Sequence, residues 1–465
     1  MSTGTPTAPS QLDELAELLT GDLHLPGSDG YALLGTPWNV AVPSRPVAVA
    51  AVADAEDVAT AIRWAREQGV PVAVRATGHG AADELDGALL VHTGRLDELD
   101  VAADGSARVG AGVRWIRVLE EAGPMGFAPL AGSAPGVGVV GYLTGGGIGP
   151  LCRTFGVSSD RVRAFEVVTG DGTRRRASAD AEQELFWALR GGKGALGVVT
   201  AVELDLVALP TFLGGALFFD GAHADRVVRT WAAWCADLPP EATTSLAILR
   251  APAMPGVPEP LAGRTTVTVR FAWTGDPAEG EAVLAPIREV APVVFGMVDV
   301  LPAAAMGVIH SDPVDPMPTA ERAVLLSALP EEAVTALLAV AGPQADCPLI
   351  VVELRQLGGA VALGSREDGS LCNRDTAFTL LGVGIAAGPA AEATRAAEDA
   401  IVRAVERWDT GRQMPNFAPG LDPEQVRRVY DPDVLARLAA LVGRLDPDRV
   451  IRAADPIRAA AQPGG

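Results

Sequence analysis

Two glycine-rich segments in the first third of the chain bring backbone within reach of a bound molecule. The shorter, Gly78-His79-Gly80, follows an apolar strand and holds one imidazole between two glycines. The longer runs from residue 132 to residue 149 and carries little side-chain bulk. Because glycine has no Cβ atom, amide N–H groups of such segments approach flat or anionic parts of a ligand closely. A merely flexible loop is the alternative interpretation.

Residues 136–141, GVGVVG, match the dinucleotide fingerprint GxGxxG by letter. A Rossmann glycine loop must follow a strand and open a helix, so that pyrophosphate meets the helix N-terminus. Here Pro129 and Pro135 interrupt the preceding segment, and the glycines at 145–147 weaken any following helix. We therefore do not expect a Rossmann site.

On periodicity alone His79 is unremarkable, since a lone loop histidine is typically solvated or structural. However, residues 75–80, RATGHG, resemble the R-S-G-G-H loop of flavoprotein oxidases similar to berberine bridge enzyme and 6-hydroxynicotine oxidase. These have a PCMH-type FAD-binding domain and belong to the vanillyl-alcohol oxidase superfamily. Segments 132–149, 184–200, 415–417 and 445–450 resemble further motifs of that family in the same order. The resemblance covers nearly the whole chain.

The resemblance implies an FAD cofactor bonded through its 8α-methyl group to the His79 ring. The family's second anchor, a cysteine, falls on Ala134, which cannot form a thioether, so we predict a single covalent attachment. Val137 falls where a side chain controls oxygen access in the family, and ordinary packing is the alternative. The cofactor-binding residues implied are Arg75, Ala76, Thr77, Gly78, His79, Gly80, Ser133, Val137, Gly138, Gly141, Tyr142, Gly145, Gly146, Gly149, Val199 and Asn416.

Oxidation of a C–H bond beside a hydroxyl or amine requires a group that accepts the heteroatom proton. Tyr142 replaces the motif histidine of the family, and Met414 replaces a tyrosine often found before the late asparagine. We rank the candidate acceptors Tyr142, Glu353 and Asp368. Glu353 and Arg355 project from one face of a strand, where they either meet a ligand or form a salt bridge. Asp368 aligns loosely with a catalytic glutamate of berberine-bridge-type enzymes.

The element pattern predicts an α+β fold. Asp54 and Gly69 delimit a helix as N-cap and C-terminal glycine, and Thr265–Trp273 and Ala390–Val405 indicate a strand and a helix. By resemblance, residues 1–208 form the PCMH-type FAD-binding domain. Residues 209–407 form a substrate domain, an antiparallel sheet covered by helices, and residues 408–465 return to the FAD domain.

Composition excludes several functions. The formal net charge of −21 and a sequence pI near 4.7 disfavour binding to nucleic acid or anionic membranes. No apolar run approaches a membrane span, and the N-terminus carries no secretory signal, so we expect a cytoplasmic protein. The four cysteines are scattered, which favours free thiols. The histidines outside the glycine loop match no metal spacing, and for His310 we expect a solvated loop position rather than a pocket.

The implied activity is oxidation of a small alcohol or amine, with hydride passing to flavin N5 and O2 regenerating the flavin as H2O2 forms. A flavin dehydrogenase with another acceptor and a ligand-sequestering drug-resistance protein remain alternatives. Lys193 is the only lysine. We attribute this arginine bias to a GC-rich bacterial source, which favours a role in secondary metabolism. The sequence identifies neither the substrate nor the oligomeric state.

Overall fold

The structure is a computed structural model that describes residues 9–81, 85–364, 368–418 and 422–462. We expect no secretory signal in the N-terminal segment, but most of that segment, residues 1–8, lies outside these ranges.

The first half of the chain alternates short strands with helices. Its strands are β1 (Asp22–His24), β2 (Ala48–Ala51), β3 (Val72–Arg75), β4 (Leu89–His92), β5 (Leu99–Val101), β6 (Ser106–Gly110), β7 (Phe127–Ala128), β8 (Val162–Val168), β9 (Arg174–Ser178), β10 (Val198–Asp205) and β11 (Val207–Ala208). Its helices are α1 (Pro9–Leu18), α2 (Asp29–Gly35), α3 (Ala55–Gln68), α4 (Trp115–Ala122), α5 (Val139–Leu143), α6 (Cys152–Phe155) and α7 (Gln183–Leu189).

These strands form two main sheets. One has the order β1-β2-β4-β3, with β2, β4 and β3 parallel and β1 antiparallel at the edge. The other is antiparallel, with the order β5-β6-β10-β8-β9, and β7 pairs with β11 separately. Helix α3 connects the parallel strands β2 and β3. It begins at Asp54, whose carboxylate accepts from the backbone N–H of Glu56 and Asp57, and it ends at Gly69 with φ +65°.

The second half is built on one large sheet. Its strands are β12 (Thr211–Asp220), β13 (Ala242–Arg250), β14 (Thr265–Trp273), β15 (Val293–Pro302), β16 (Thr319–Leu326), β17 (Val351–Gln356) and β18 (Phe378–Ile385). They pair antiparallel in the order β15-β12-β14-β13-β17-β18-β16. Its helices are α8 (Ala224–Trp234), α9 (Pro277–Arg288), α10 (Glu331–Ala341) and α11 (Ala390–Val405). The predicted α+β class is confirmed.

The C-terminal helices α12 (Pro423–Val429), α13 (Pro432–Leu445) and α14 (Asp455–Ala461) pack into the core of the first half. That core reaches from the first half into the second, where it includes Ala272, Ala303, Met306, Ile309 and Cys372, and a second core is formed by residues between Leu213 and Val405. Asp446 holds the returning chain: its carboxylate accepts from the N–H of Val450 (2.7 Å) and pairs with Arg458 (2.6 Å). Since this segment bridges to β3, both chain halves meet beside the strand that leads into the His79 loop.

Candidate functional site

The loop after β3 presents His79 on a backbone that requires glycine. Gly78 has φ +76°, and a Cβ there would lie 2.8 Å from a main-chain atom of the segment after α2. Arg75 is buried and donates to the carbonyl oxygen of Gly35 (2.5 Å) and to Ser44 Oγ (3.2 Å). The Arg75 guanidinium therefore braces the segment before β2, while half-buried Ala76 and Thr77 lead to the imidazole.

His79 carries a neutral imidazole at neutral pH. Burial and the nearby charge of Arg114 together lower its pKa to about 4. The ring stacks on Trp38, with centroids 4.8 Å apart, and Nδ1 lies 2.9 Å from Thr77 Oγ1. The second ring nitrogen, Nε2, therefore stays available to form a bond.

Uncovered glycine backbone lies beside this imidazole. A Cβ at Gly136 would lie 4.0 Å from His79 Nε2, and one at Gly138 would lie 3.6 Å from its nearest neighbour. A Cβ at Gly80 or Gly141 would have no neighbour within 4 Å. Gly80, Gly136 and Gly141 therefore border space that a ligand can fill, and Gly136 borders it beside the His79 ring, whereas Gly138 is buried against Thr77 and Ala76.

The later glycines of the same segment are covered by protein. At Gly145 a Cβ would collide with the Asn416 side chain, and at Gly146 it would lie 2.6 Å from Leu371 Cδ2. At Gly149 it would collide with a main-chain carbonyl oxygen. The segment thus has open backbone at Gly136 and Gly141 and is packed against protein from Gly145 onward.

Three further residues predicted to bind the cofactor occupy different settings. Ser133 and Val137 are half-buried in the stretch that leads into α5, and the Val137 carbonyl accepts from the Trp115 N–H (3.1 Å). Val199 is buried in β10, opposite Val167 of β8.

Tyr142 lies within the glycine segment, just before its packed part. Its ring would lie 2.8 Å from a Cβ at Gly132 and 2.5 Å from one at Gly147, and it meets the Trp115 ring edge-on at 5.6 Å. The hydroxyl is buried and makes no hydrogen bond of good geometry with the described residues. Burial raises the pKa of Tyr142, and nearby Arg355 opposes that rise.

A buried lysine, overlooked in the sequence, joins this site. Asn416 donates through Nδ2 to the Tyr142 carbonyl oxygen (2.9 Å) and accepts through Oδ1 from Lys193 Nζ. Burial lowers the pKa of Lys193 to about 8, and Glu321 counteracts that effect. The available signal was a lone lysine within a glycine run, which we interpreted as coding composition.

A cavity of about 20 Å³ lies between the packed glycine segment and the large sheet. Its lining residues are Ile148, Gly149, Pro150, Cys152, Thr243, Thr244, Ser245, Arg270, Phe271, Ala272, Ile309, His310, Arg355 and Gln356. A volume of this size accommodates a small polar group, and a few polar groups among apolar ones are typical of small-molecule sites.

Glu353 is the buried anion behind this cavity. It pairs with Arg270 (2.7 Å) and Arg355 (2.8 Å) and accepts from Ser245 Oγ (2.9 Å). Burial alone would raise its pKa, but the two arginines hold that pKa well below the ordinary value. Of the two alternatives left open for Glu353 and Arg355, the structure contains the salt bridge.

Two other residues differ in their relation to the cavity. The solvated position expected for His310 is wrong: the ring is buried and lines the cavity, because the turn after β15 packs back over the sheet. Asp368 is exposed and acts electrostatically on Arg190, and it is absent from the lining formed by the described residues.

The described residues contain neither a metal-binding cluster nor a membrane-spanning helix. No cluster of three or more His, Cys, Asp or Glu side chains there has the arrangement of a metal site. Among the same residues, no helix has the length and apolar character needed to cross a membrane. All four cysteines are buried, and none of them forms a disulfide bond.

Comparison with known proteins finds a domain match in the first half. Residues 46–178 match the FAD binding domain family. This part of the chain is therefore similar to an FAD binding domain, in agreement with the resemblance carried by the sequence motifs. Over 216 residues the chain is 35% identical to the FAD-dependent monooxygenase prx3 of Penicillium roqueforti, covering 45% of the chain and 42% of that relative.

A second relative is the (R)-6-hydroxynicotine oxidase of Paenarthrobacter nicotinovorans, 34% identical over 196 residues, 41% of the chain and 43% of that protein. Both matches span less than half of the relative's length.

Solved structures share the fold over nearly the whole chain. The 6-hydroxy-D-nicotine oxidase of Arthrobacter nicotinovorans superposes with a TM-score of 0.79 at 23% identity, covering 94% of this chain and 97% of that one. A chitooligosaccharide oxidase gives 0.81 at 19% identity, covering 96% and 98%.

The residues present fit FAD. Gly80, Gly136 and Gly141 leave backbone uncovered, as close approach of an anionic pyrophosphate or a flat ring requires. His79 adds a neutral ring nitrogen at the edge of the same space.

We expect Gly136→Leu to abolish flavin binding, because its side chain would occupy the space beside His79 Nε2. The φ of Gly136 is not positive, so the substitution is tolerated by the backbone. Flavin absorbance per chain, with circular dichroism as the check of folding, measures the effect. Gly443→Leu is the matched control and should keep its flavin. Residue 443 is exposed on helix α13, and a Cβ there would have no neighbour within 4 Å. A yellow Gly136→Leu protein would contradict this location of the cofactor.

Proposed function

We propose that the protein is an FAD-dependent oxidase of a small organic alcohol or amine. The observation that carries this proposal is the neutral His79 imidazole beside uncovered glycine backbone. The same molecule has a cavity lined by hydrogen-bond donors. Bound FAD supplies the two-electron chemistry: it takes hydride at N5 and is reoxidised by O2, which forms H2O2.

Within this proposal the chain's two cores have different tasks. The first, which lies mainly in residues up to Phe212 and includes the C-terminal helices, holds the cofactor. The second supplies the sheet face that carries Arg270, Glu353 and Arg355 toward the cavity and excludes water from it. A division at residues 208 and 407 agrees with this allocation of tasks.

An assay of H2O2 against substrate consumed tests the oxidase activity. Screening small alcohols and amines, we expect a substrate that yields one H2O2 for each O2 consumed. Reduction of an artificial dye without O2 uptake would contradict the oxidase and favour a dehydrogenase.

We further propose that His79 forms the single covalent bond to the cofactor. Its low pKa leaves the imidazole unprotonated, so a nitrogen lone pair is available for C–N bond formation. Contacts with Thr77 and Trp38 hold the ring in one orientation. Ala134 offers no sulfur for a second bond.

In His79→Ala we expect any bound flavin to separate from the chain on acid denaturation, since no other attachment is proposed. The wild-type chain should retain it, and mass spectrometry should locate the adduct on the peptide containing residue 79. His92→Ala is the matched control, because burial also lowers the pKa of His92 to about 4. An adduct that persists in His79→Ala would exclude this attachment.

We propose Tyr142 as the group that accepts the substrate proton. Its hydroxyl is buried without a hydrogen-bond partner of good geometry among the described residues, and the charge of Arg355 favours its anionic form. Glu353 is a weaker candidate because two guanidinium groups hold its pKa well below the ordinary value, which makes its carboxylate a poor proton acceptor. The exposed position of Asp368 favours a role outside the chemistry.

Substrate oxidation should accelerate with pH if Tyr142 accepts the proton. Burial raises the pKa of Tyr142, so below that pKa the phenolate fraction grows about tenfold for each pH unit. Tyr142→Phe should lower the anaerobic flavin-reduction rate by about 10²-fold or more and remove this pH slope.

Tyr430→Phe is the control. That tyrosine is buried with a raised pKa, but its hydroxyl donates to the Gly191 carbonyl oxygen. An unchanged rate and slope in Tyr142→Phe would exclude the assigned role.

A further inference from the structure

The cavity between the glycine segment and the large sheet presents hydrogen-bond donors without partners. Arg270 is 5% exposed, yet its Nε makes no hydrogen bond with the described residues. Neither ring nitrogen of buried His310 makes one, although Nε2 lies 3.4 Å from Glu353 Oε1. Leaving a buried donor unpaired costs about 1–3 kcal/mol. A ligand that accepts hydrogen bonds would satisfy these groups.

Two arginines line the cavity, and the carboxylate that pairs with them lies behind the lining. Glu353 is shared by Arg270 and Arg355, and each of its oxygens already accepts from one of them. The lining drawn from the described residues includes both guanidinium groups but neither Asp nor Glu. The single carboxylate of Glu353 therefore pairs with two guanidinium groups.

Other acids lie farther back from the cavity. Asp312 and Glu321 act electrostatically on Arg355, but neither is among the lining residues. Glu321 also faces the Lys193 ammonium group, which offsets its charge. The lining itself therefore carries an excess of positive charge, which favours an anionic ligand over a neutral one.

Arg355 is the cation best placed to meet such a ligand. Its Nε is occupied by Glu353 Oε2 (2.8 Å), and its guanidinium carbon lies 5.6 Å from the centre of the Phe417 ring. It also acts on the Tyr142 hydroxyl. An anion held by Arg355 therefore lies close to the proposed proton acceptor.

We propose that this cavity recognises a carboxylate on the substrate, through Arg355, Arg270 and His310. The inference rests on the proposed function only in treating the cavity as the substrate site. A carboxylate supplies two acceptor oxygens and one negative charge, which matches the unpaired donors and the excess cation. The substrate is accordingly a small organic acid that carries the oxidisable alcohol or amine.

Isothermal titration of the wild-type holoprotein with benzoate and with benzamide tests this inference. The two probes share size and shape but differ in charge. We expect benzoate to bind at least about tenfold more tightly, since a buried guanidinium group discriminates strongly between an anion and a neutral amide. Equal affinities, or no binding of benzoate, would overturn the proposal.

Arg355→Met should weaken benzoate binding at least about tenfold and leave benzamide binding nearly unchanged. Arg264→Met, at an exposed position of the same half, is the matched control and should bind benzoate like the wild type. Should Arg355→Met fail to fold, the comparison of the two probes on wild-type protein still decides.

Flavin absorbance of the same samples separates the two proposals. A yellow protein without preference for benzoate refutes carboxylate recognition alone. A colourless protein that prefers benzoate refutes the oxidase and retains the anion site.

Discussion

At Gly149 a Cβ atom would collide with the carbonyl oxygen of Ala131, and at Gly145 it would collide with the Asn416 side chain. This absence of side-chain volume lets the chain turn back on itself between the two halves of the molecule. Tyr142 fills the space so created, and Asn416 reaches its carbonyl oxygen from the C-terminal segment (2.9 Å). The position of the candidate proton acceptor therefore depends on close packing against bare backbone.

The same segment explains how one glycine run serves two purposes. At Gly136 and Gly141 its backbone faces open space, and from Gly145 onward it faces protein. Ligand binding requires the first arrangement and rigid positioning requires the second. Because both lie on one continuous stretch, the space beside His79 and the cavity under the large sheet are linked by a short length of backbone.

Burial and pairing act in opposite directions on the ionisable groups of the site. Burial keeps His79 neutral and lowers the pKa of Lys193 to about 8, while paired arginines keep Glu353 ionised despite its burial. The neutral His79 ring is suited to bond formation, and Lys193 is suited to proton exchange near neutral pH. Glu353 is suited to holding guanidinium groups in place.

Local signals determined much of the secondary structure, and they are legible because they act between neighbours in the chain. The N-cap Asp54 and the left-handed Gly69 delimit helix α3, and the strand Thr265–Trp273 and the helix Ala390–Val405 have the expected bounds. The resemblance to FAD-linked oxidases likewise rested on local motifs, such as those at residues 75–80 and 132–149. The sequence did not determine how charged side chains on distant strands pair with one another.

The sequence by itself determined which residues a bound cofactor can approach, because a missing Cβ is a property of each position. Only the tertiary structure decided which glycines stay uncovered, since the covering side chains, such as Asn416 and Leu371, come from remote segments. It also placed His310 and Lys193 in buried sites, for burial depends on contacts over the whole fold.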